Sequence, residues 1–136
     1  MNGFPLEIVT PDGSIYSGEA LRIIVRTTEG DIGILKGHAN LLVPIAIGEA
    51  RVLSADGERS ASCSGGMLTV SEGTVRVVAV TFEWADEIDI ERAKRAKERA
   101  ERALQQKLDN YEFAMAQYRL KRSLNRIRIG SDKKDS

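Results

Sequence analysis

Up to about residue 81 the chain alternates apolar and polar positions in short runs broken by turn residues, the pattern of half-buried strands. Residues 6–10 lead through Pro11-Asp12-Gly13 into residues 14–16. Residues 49–54 face residues 58–63 across Ala55-Asp56-Gly57, where Asp-Gly supplies the positive φ of a tight hairpin turn. Residues 67–71 face residues 74–81 across Glu72-Gly73. Together with the β-branched stretch 21–28, these hairpins predict at least seven short strands, arranged as an antiparallel sandwich or barrel.

Past Asp86 the period changes. Ala93, Ala96, Ala100 and Ala103 recur every three or four residues, one stripe along a helix that Leu104 and Leu108 extend. The spacing predicts helices over residues 89–108 and 112–127 with a break at Asp109-Asn110, and Asp89 as cap of the first. The second helix offers Phe113, Ala116, Leu120, Leu124 and Ile127, a bulkier face to lay against the alanines. A buried methyl contributes only about 0.8 kcal/mol, so a hairpin sealed by alanine is marginally stable against opening. The fold class expected is α+β: a sandwich domain over residues 1–85, a two-helix hairpin over 86–129, and a polar tail over 130–136.

Composition narrows the function classes. Hydrophobic content of 42% and charged content of 29% are ordinary for a globular chain. The longest nearly apolar run, residues 41–47, is broken by Pro44 and too short to span a bilayer, so no direct membrane insertion is expected. The first residues lack the basic stretch and apolar core of a secretory signal. A single cysteine, Cys63, and a single histidine, His38, leave no disulfide, metal-ligand cluster or nucleophile–base pair to expect. Gly30-Asp31-Ile32-Gly33 is not followed by Lys-Ser/Thr or by a helix, so these glycines suit turns rather than a phosphate loop.

The net charge of zero hides an asymmetry: residues 1–84 carry 6 basic and 10 acidic side chains, and residues 85–136 carry 14 basic and 10 acidic. The acidic residues in the basic half, and the absence of stacking aromatics in the sandwich, argue against a nucleic-acid partner. In an antiparallel hairpin turning at Asp109-Asn110, Arg92 comes opposite Arg126 and Arg99 comes near Arg122. Four such arginines repel one another unless an anion with several acceptors joins them. The plainer alternative is a solvated face, with Glu91–Arg95 and Glu98–Arg102 as i,i+4 pairs.

Three stretches resemble one family. Residues 28–42, with Gly30, Gly33, Ile34, Gly37, His38, Ala39 and Leu41, form a long signature. Gly65-Gly66-Met67-Leu68-Thr69-Val70 with residues 75–80 forms a late hairpin, and Ile88-Asp89-Ile90-Glu91-Arg92-Ala93 matches a short I/L-D-x-x-R-A motif. Over essentially its whole length the chain resembles the ε subunit of bacterial F-type ATP synthase, of the ATP-binding type. The resemblance implies a flattened β-sandwich of about ten strands that couples the γ subunit to the c-ring, with Glu29, Asp31 and His38 as rotor contacts. It implies a non-catalytic, peripheral subunit on the cytoplasmic side of the cell membrane. Its hairpin would inhibit ATP hydrolysis when extended toward the catalytic β subunits. ATP, with or without Mg²⁺, would act as a regulatory ligand holding the hairpin folded. The implied ATP-binding residues are Glu83, Ile88, Asp89, Arg92, Ala93, Arg99, Arg122 and Arg126. The alternative is the same subunit as a structural coupler without physiologically relevant ATP sensing.

Overall fold

The computed structural model describes residues 2–135, which divide into two compact units meeting between Trp84 and Ala85. The first unit holds eight strands: β1 (Phe4–Thr10), β2 (Gly13–Ala20), β3 (Arg22–Thr27), β4 (Gly30–Ile34), β5 (Leu41–Pro44), β6 (Gly48–Ser54), β7 (Gly57–Ser71) and β8 (Thr74–Trp84). Their order is β2-β1-β8-β7-β6-β3-β4, with β5 pairing onto β7, and every pair is antiparallel except β1 with β8. The three expected hairpins are present, closed at Thr10↔Gly13, Ser54↔Gly57 and Ser71↔Thr74.

The expected strand ends fall short in one respect. The last two hairpins share a single fifteen-residue strand, β7. Its first half pairs with β6 at residues 57–63, its second half with β5 at residues 67–70, and β8 follows it along both halves. Inward-facing positions are Ala61 and Cys63 before the change of neighbour, and Leu68 and Val70 after it; on β8 they are Val75, Val77 and Ala79, then Phe82 and Trp84. Both strands therefore reverse which parity faces inward at the same point, because a bend there turns the strand from one layer into the other. β7 and β8 each contribute a segment to both layers, so eight strands supply ten segments.

Gly65 and Gly66 make the bend, with φ of +72° and +120°. A Cβ on Gly66 would lie 2.0 Å from the Val78 carbonyl oxygen, so only glycine lets the two backbones approach this closely. One core lies between the layers, from Phe4, Leu6 and Ile8 on β1 to Ile23 and Val25 on β3 and Ala50 and Val52 on β6. Cys63 and Trp84 belong to it; Trp84 meets Phe82 edge-on at 5.1 Å, with the Arg59 guanidinium 4.1 Å over its ring.

The second unit opens with a 3₁₀ turn at Ala85–Glu87 and contains α1 (Ile90–Leu104) and α2 (Asn110–Asp135). Ala93 and Ala100 are buried on α1, as the alanine stripe requires. The first helix stops at Leu104 rather than 108, and residues 105–109 cross to α2. There Asp109 Oδ1 accepts from the Glu112 N–H at 2.8 Å while Glu112 Oε1 accepts from the Asp109 N–H at 3.5 Å, a reciprocal cap.

On α2 the face laid inward differs from the expected one. Phe113 and Leu124 are exposed, and the buried positions include Ala116, Ser123, Ile129 and Gly130. Small residues thus line both helices, which brings the backbones close. Nor does α2 stop near residue 127 to leave 130–136 as a polar tail: it continues to Asp135. The reason is packing, since Ile88, Ala85 and Ile129 form a small core, and Gly130 lies against Ile88 and Ile90.

Candidate functional site

α1 begins where Asp89, in extended conformation at φ −82°, turns its carboxylate back over the first helical turn. Oδ1 accepts from the Arg92 backbone N–H at 3.0 Å. That hydrogen bond holds the Asp89 carboxyl below the ordinary carboxylate range, and the guanidiniums of Arg95, Arg92 and Arg126 add to the effect. Arg126 comes from α2, so the hairpin itself delivers a second helix's cation to the start of the first. Gly130 against Ile88 and Ile90 fixes the pairing register to within one residue of the expected one.

The arginine corner is therefore not purely cationic. Asp89 stands inside it as a built-in counter-charge, which lowers the repulsion that spacing alone predicts. The guanidinium of Arg95, which sequence spacing sets aside as plain surface, acts on this carboxylate along with those of Arg92 and Arg126. The signal for it was present: Arg95 lies one turn beyond Arg92 on the same helical face.

The other implied ATP-binding residues are placed as follows. Ile88 and Ala93 are buried, Ile88 in the small core with Ala85 and Ile129, so they set helix geometry rather than present an open surface. Arg99 is exposed on α1, two turns from Arg92. Arg122 lies on α2 with its guanidinium 5.7 Å from the Tyr118 ring centroid. Glu83 belongs to the other unit, on β8 opposite Ser62. Among the described residues no group of three or more His, Cys, Asp or Glu side chains is arranged to hold a metal ion.

The implied rotor contacts do not form one cluster. Glu29 lies in the β3–β4 turn and Asp31 just after it on β4, where Arg26 Nε reaches Asp31 Oδ1 at 3.1 Å. His38 lies in the loop beyond the other end of β4, its Nδ1 2.8 Å from the Ala39 carbonyl oxygen. A broader feature lies on the outer face of one sandwich layer. Register places Val9, Val78, Met67 and Pro44 side by side across β1, β8, β7 and β5. Val78 is 45% exposed, Val80 52% and Leu42 65%, and the adjoining row carries the Glu7–Arg76 ion pair at 2.8 Å. These outward apolar residues are joined across four strands. In sequence they look like ordinary strand alternation, which is why they escape notice there.

Comparison with known proteins decides the family. Residues 3–85 match the domain described as "ATP synthase, Delta/Epsilon chain, beta-sandwich domain", and residues 86–130 match "ATP synthase, Delta/Epsilon chain, long alpha-helix domain". The chain belongs to the ATP synthase delta/epsilon family. Curated relatives named ATP synthase epsilon chain include one from Ruminococcus albus, 41% identical over 131 residues covering 96% of this chain and 98% of the relative. Another, from Caldanaerobacter subterraneus subsp. tengcongensis, is 44% identical over 129 residues and 94% of each chain. A chain in the cryo-EM structure of Euglena gracilis mitochondrial ATP synthase, OSCP/F1/c-ring in rotational state 1, shares the fold at a TM-score of 0.77 and 24% identity, with 98% of this chain and 82% of that one covered. Family membership makes the protein a non-catalytic subunit of an ATP synthase, an epsilon chain like its relatives.

Proposed function

We propose that this epsilon-type subunit couples the γ subunit to the c-ring through its sandwich and regulates ATP hydrolysis through its hairpin. ATP would hold the hairpin folded and non-inhibitory, and the extended helices would reach the catalytic β subunits. The observation that carries this reading is the hairpin register, set by Gly130 against Ile88 and Ile90, which brings Arg126 of α2 to the start of α1, where it acts with Arg92 and Arg95 on Asp89. Separating the helices disperses the cations, so a polyphosphate that engages both helices binds the folded hairpin better than the open one. Only that difference in affinity shifts the balance.

Arginine forks suit phosphate oxygens because they donate two parallel hydrogen bonds in a fixed plane. A ligand at 100 times its dissociation constant favours the state it binds by about 2.7 kcal/mol. That is enough to reverse a hairpin sealed by small residues. Asp89 offers an acceptor for the base or ribose rather than for phosphate, since its charge repels the latter. Mg²⁺ is an optional companion in this scheme, because the arginines already neutralise phosphate charge.

The coupling role has its own support in the apolar row of Val9, Val78, Met67 and Pro44, and it requires no nucleotide. A subunit docked there is peripheral to the membrane, in keeping with the lack of any described helix long and apolar enough to cross it. The two roles separate in one experiment. The full chain is titrated with ATP while helix-pair compaction is followed by fluorescence transfer between α1 and α2. Saturable compaction below millimolar ATP is expected, with Arg92→Ala and Arg126→Ala each weakening it about tenfold or more while the sandwich stays folded. Unchanged affinity in both variants removes the sensing role and leaves the coupler.

A further inference from the structure

Ile88 stands immediately before Asp89, the cap of α1. An apolar side chain at that position ordinarily packs on the fourth residue of its own helix and so fixes the angle at which the chain enters. The fourth residue of α1 is Ala93, which offers a single methyl. The small core that buries Ile88 holds Ala85 and Ile129, with Ile90 packed against it, and Ala93 is not among its members. Ile129 comes from the last turns of α2. The contact that α1 would ordinarily supply to its own entry is therefore supplied by the other helix.

Gly130 completes this contact. A Cβ there would lie 3.1 Å from both Ile88 Cγ2 and Ile90 Cγ1, so the side chains on either side of the cap straddle a bare stretch of α2 backbone. Local structure in the segment leading into α1 is slight by comparison. The 3₁₀ turn Ala85–Glu87 is three residues long, and the backbone hydrogen bond from the Ile88 N–H to the Ala85 carbonyl is long at 3.5 Å. Asp86, Glu87 and Asp89 bring like charges close together, a composition that by itself favours a solvated chain. The apolar residues of the segment, Ala85 and Ile88, are each 2% exposed, and the core that covers them is separate from that of the sandwich.

Elsewhere along the helix pair the buried residues are small: Ala93 and Ala100 on α1, Ala116 and Ser123 on α2. Among the described residues of this unit, Ile88 and Ile129 are the large apolar side chains that are fully buried. Apolar burial in the pair is thus concentrated at the end where the chain enters it. We propose that the end of α2 acts as the staple that α1 lacks. Seating Ile129 and Gly130 orders residues 85–89, and lifting them frees that segment. Closure of the helix pair and stiffness of the joint that follows Trp84 are then one event. The device goes beyond the function proposed above, because it requires neither a nucleotide nor a partner subunit.

The test follows hydrogen exchange by NMR in the full chain without nucleotide, at the amides of residues 88 and 92, whose acceptors are the Ala85 carbonyl and the Asp89 carboxylate. Exchange in the sandwich serves as the check that each variant is folded. Ile129→Ala keeps a good helix former in α2 and is expected to speed exchange at both amides about tenfold or more. Leu124→Ala, at an exposed position of α2, should change it less than about twofold. Ala116→Arg forces the pair apart roughly 20 Å from Gly130, at about 1.5 Å per residue, and should free the segment as fully although it touches nothing there. Adding Ile88→Cys and Gly130→Cys to that variant supplies a reversible staple, since a Cβ at 130 would lie 3.2 Å from Ile88 Cβ, near the separation a disulfide spans. Oxidation, verified by mass, is expected to restore protection at both amides, and reduction to remove it. Protection that survives Ile129→Ala or Ala116→Arg means the segment orders itself and overturns the proposal. So does a segment that stays unprotected in the oxidised form. If ATP fails to bind while these responses persist, the sensing role falls and this inference stands.

Discussion

Asp89 performs two tasks with one carboxylate, capping α1 and offsetting the charge of Arg95, Arg92 and Arg126. Its pKa is depressed in the folded chain, so the stabilisation it provides is fully present above the unfolded carboxyl value near about 3.9. It is lost as pH falls through the lower folded value. Hydrogen exchange on α1, followed from neutral into acid, should show the first turn loosening in that window. Asp89→Asn, whose amide oxygen caps without titrating, should flatten this dependence, whereas Asp89→Ala should loosen the turn at every pH. Cys63 illustrates the opposite environment: burial pushes its thiol up to about 12. It should resist thiol reagents at neutral pH until the sandwich unfolds, and labelling that proceeds at the rate of an exposed thiol would contradict its place in the core.

At the scale of elements, Gly66 and Gly130 act through close approach rather than flexibility. Gly66→Ala must adopt a φ of +120° and push its methyl into the Val78 carbonyl, so it should cost about 3 kcal/mol or more in denaturant unfolding of the sandwich. Gly130 is helical, and a Cβ there would meet Ile88 and Ile90 at 3.1 Å. Alanine gains about 1 kcal/mol of helix propensity but crowds those side chains, so Gly130→Ala should be close to neutral. Gly130→Leu should open the pair, visible as faster hydrogen exchange in α1 with the sandwich unchanged. The strands and helices themselves were legible because their signals are local: a Pro-Asp-Gly or Glu-Gly turn, an alanine every three or four residues, an aspartate before a helix. What local signals missed was the continuity of β7, since a strand that bends between layers reads as two strands. They missed the end of α2 for a similar reason. A glycine weakens an isolated helix, yet the contacts of Ile129 and Gly130 with Ile88 and Ile90 carry the helix past it.

For the whole molecule, the two units present different surfaces to partners. The acidic sandwich exposes its apolar row, and the basic hairpin exposes Arg92, Arg95 and Arg99. Val78→Asp and Val80→Asp point outward, so they should leave the sandwich's melting temperature within about 2 °C while weakening binding to an isolated γ subunit about tenfold or more. Undiminished binding would move the docking face elsewhere, with the termini of β4 near Asp31 and His38 as the next candidates. Of the candidate site, the opposition of Arg92 and Arg126 was readable because helical spacing and hairpin register are simple geometry. Arg95 was not, because its i,i+4 partner Glu91 offered a sufficient explanation that the structure does not use: Glu91 pairs with Lys94 instead.

By itself, the amino-acid order settled the division into a strand-rich part and a helical part, the three hairpin turns, the cap at Asp89 and the presence of arginines on facing helices. Each of these depends on residues within a few positions of one another, where backbone sterics and helical periodicity act directly. The tertiary structure alone decided which neighbours β7 takes along its length, which face of α2 is buried, how far that helix runs, and that an aspartate sits among the cations. Those outcomes turn on contacts between distant segments, where burial and close approach outweigh local preference.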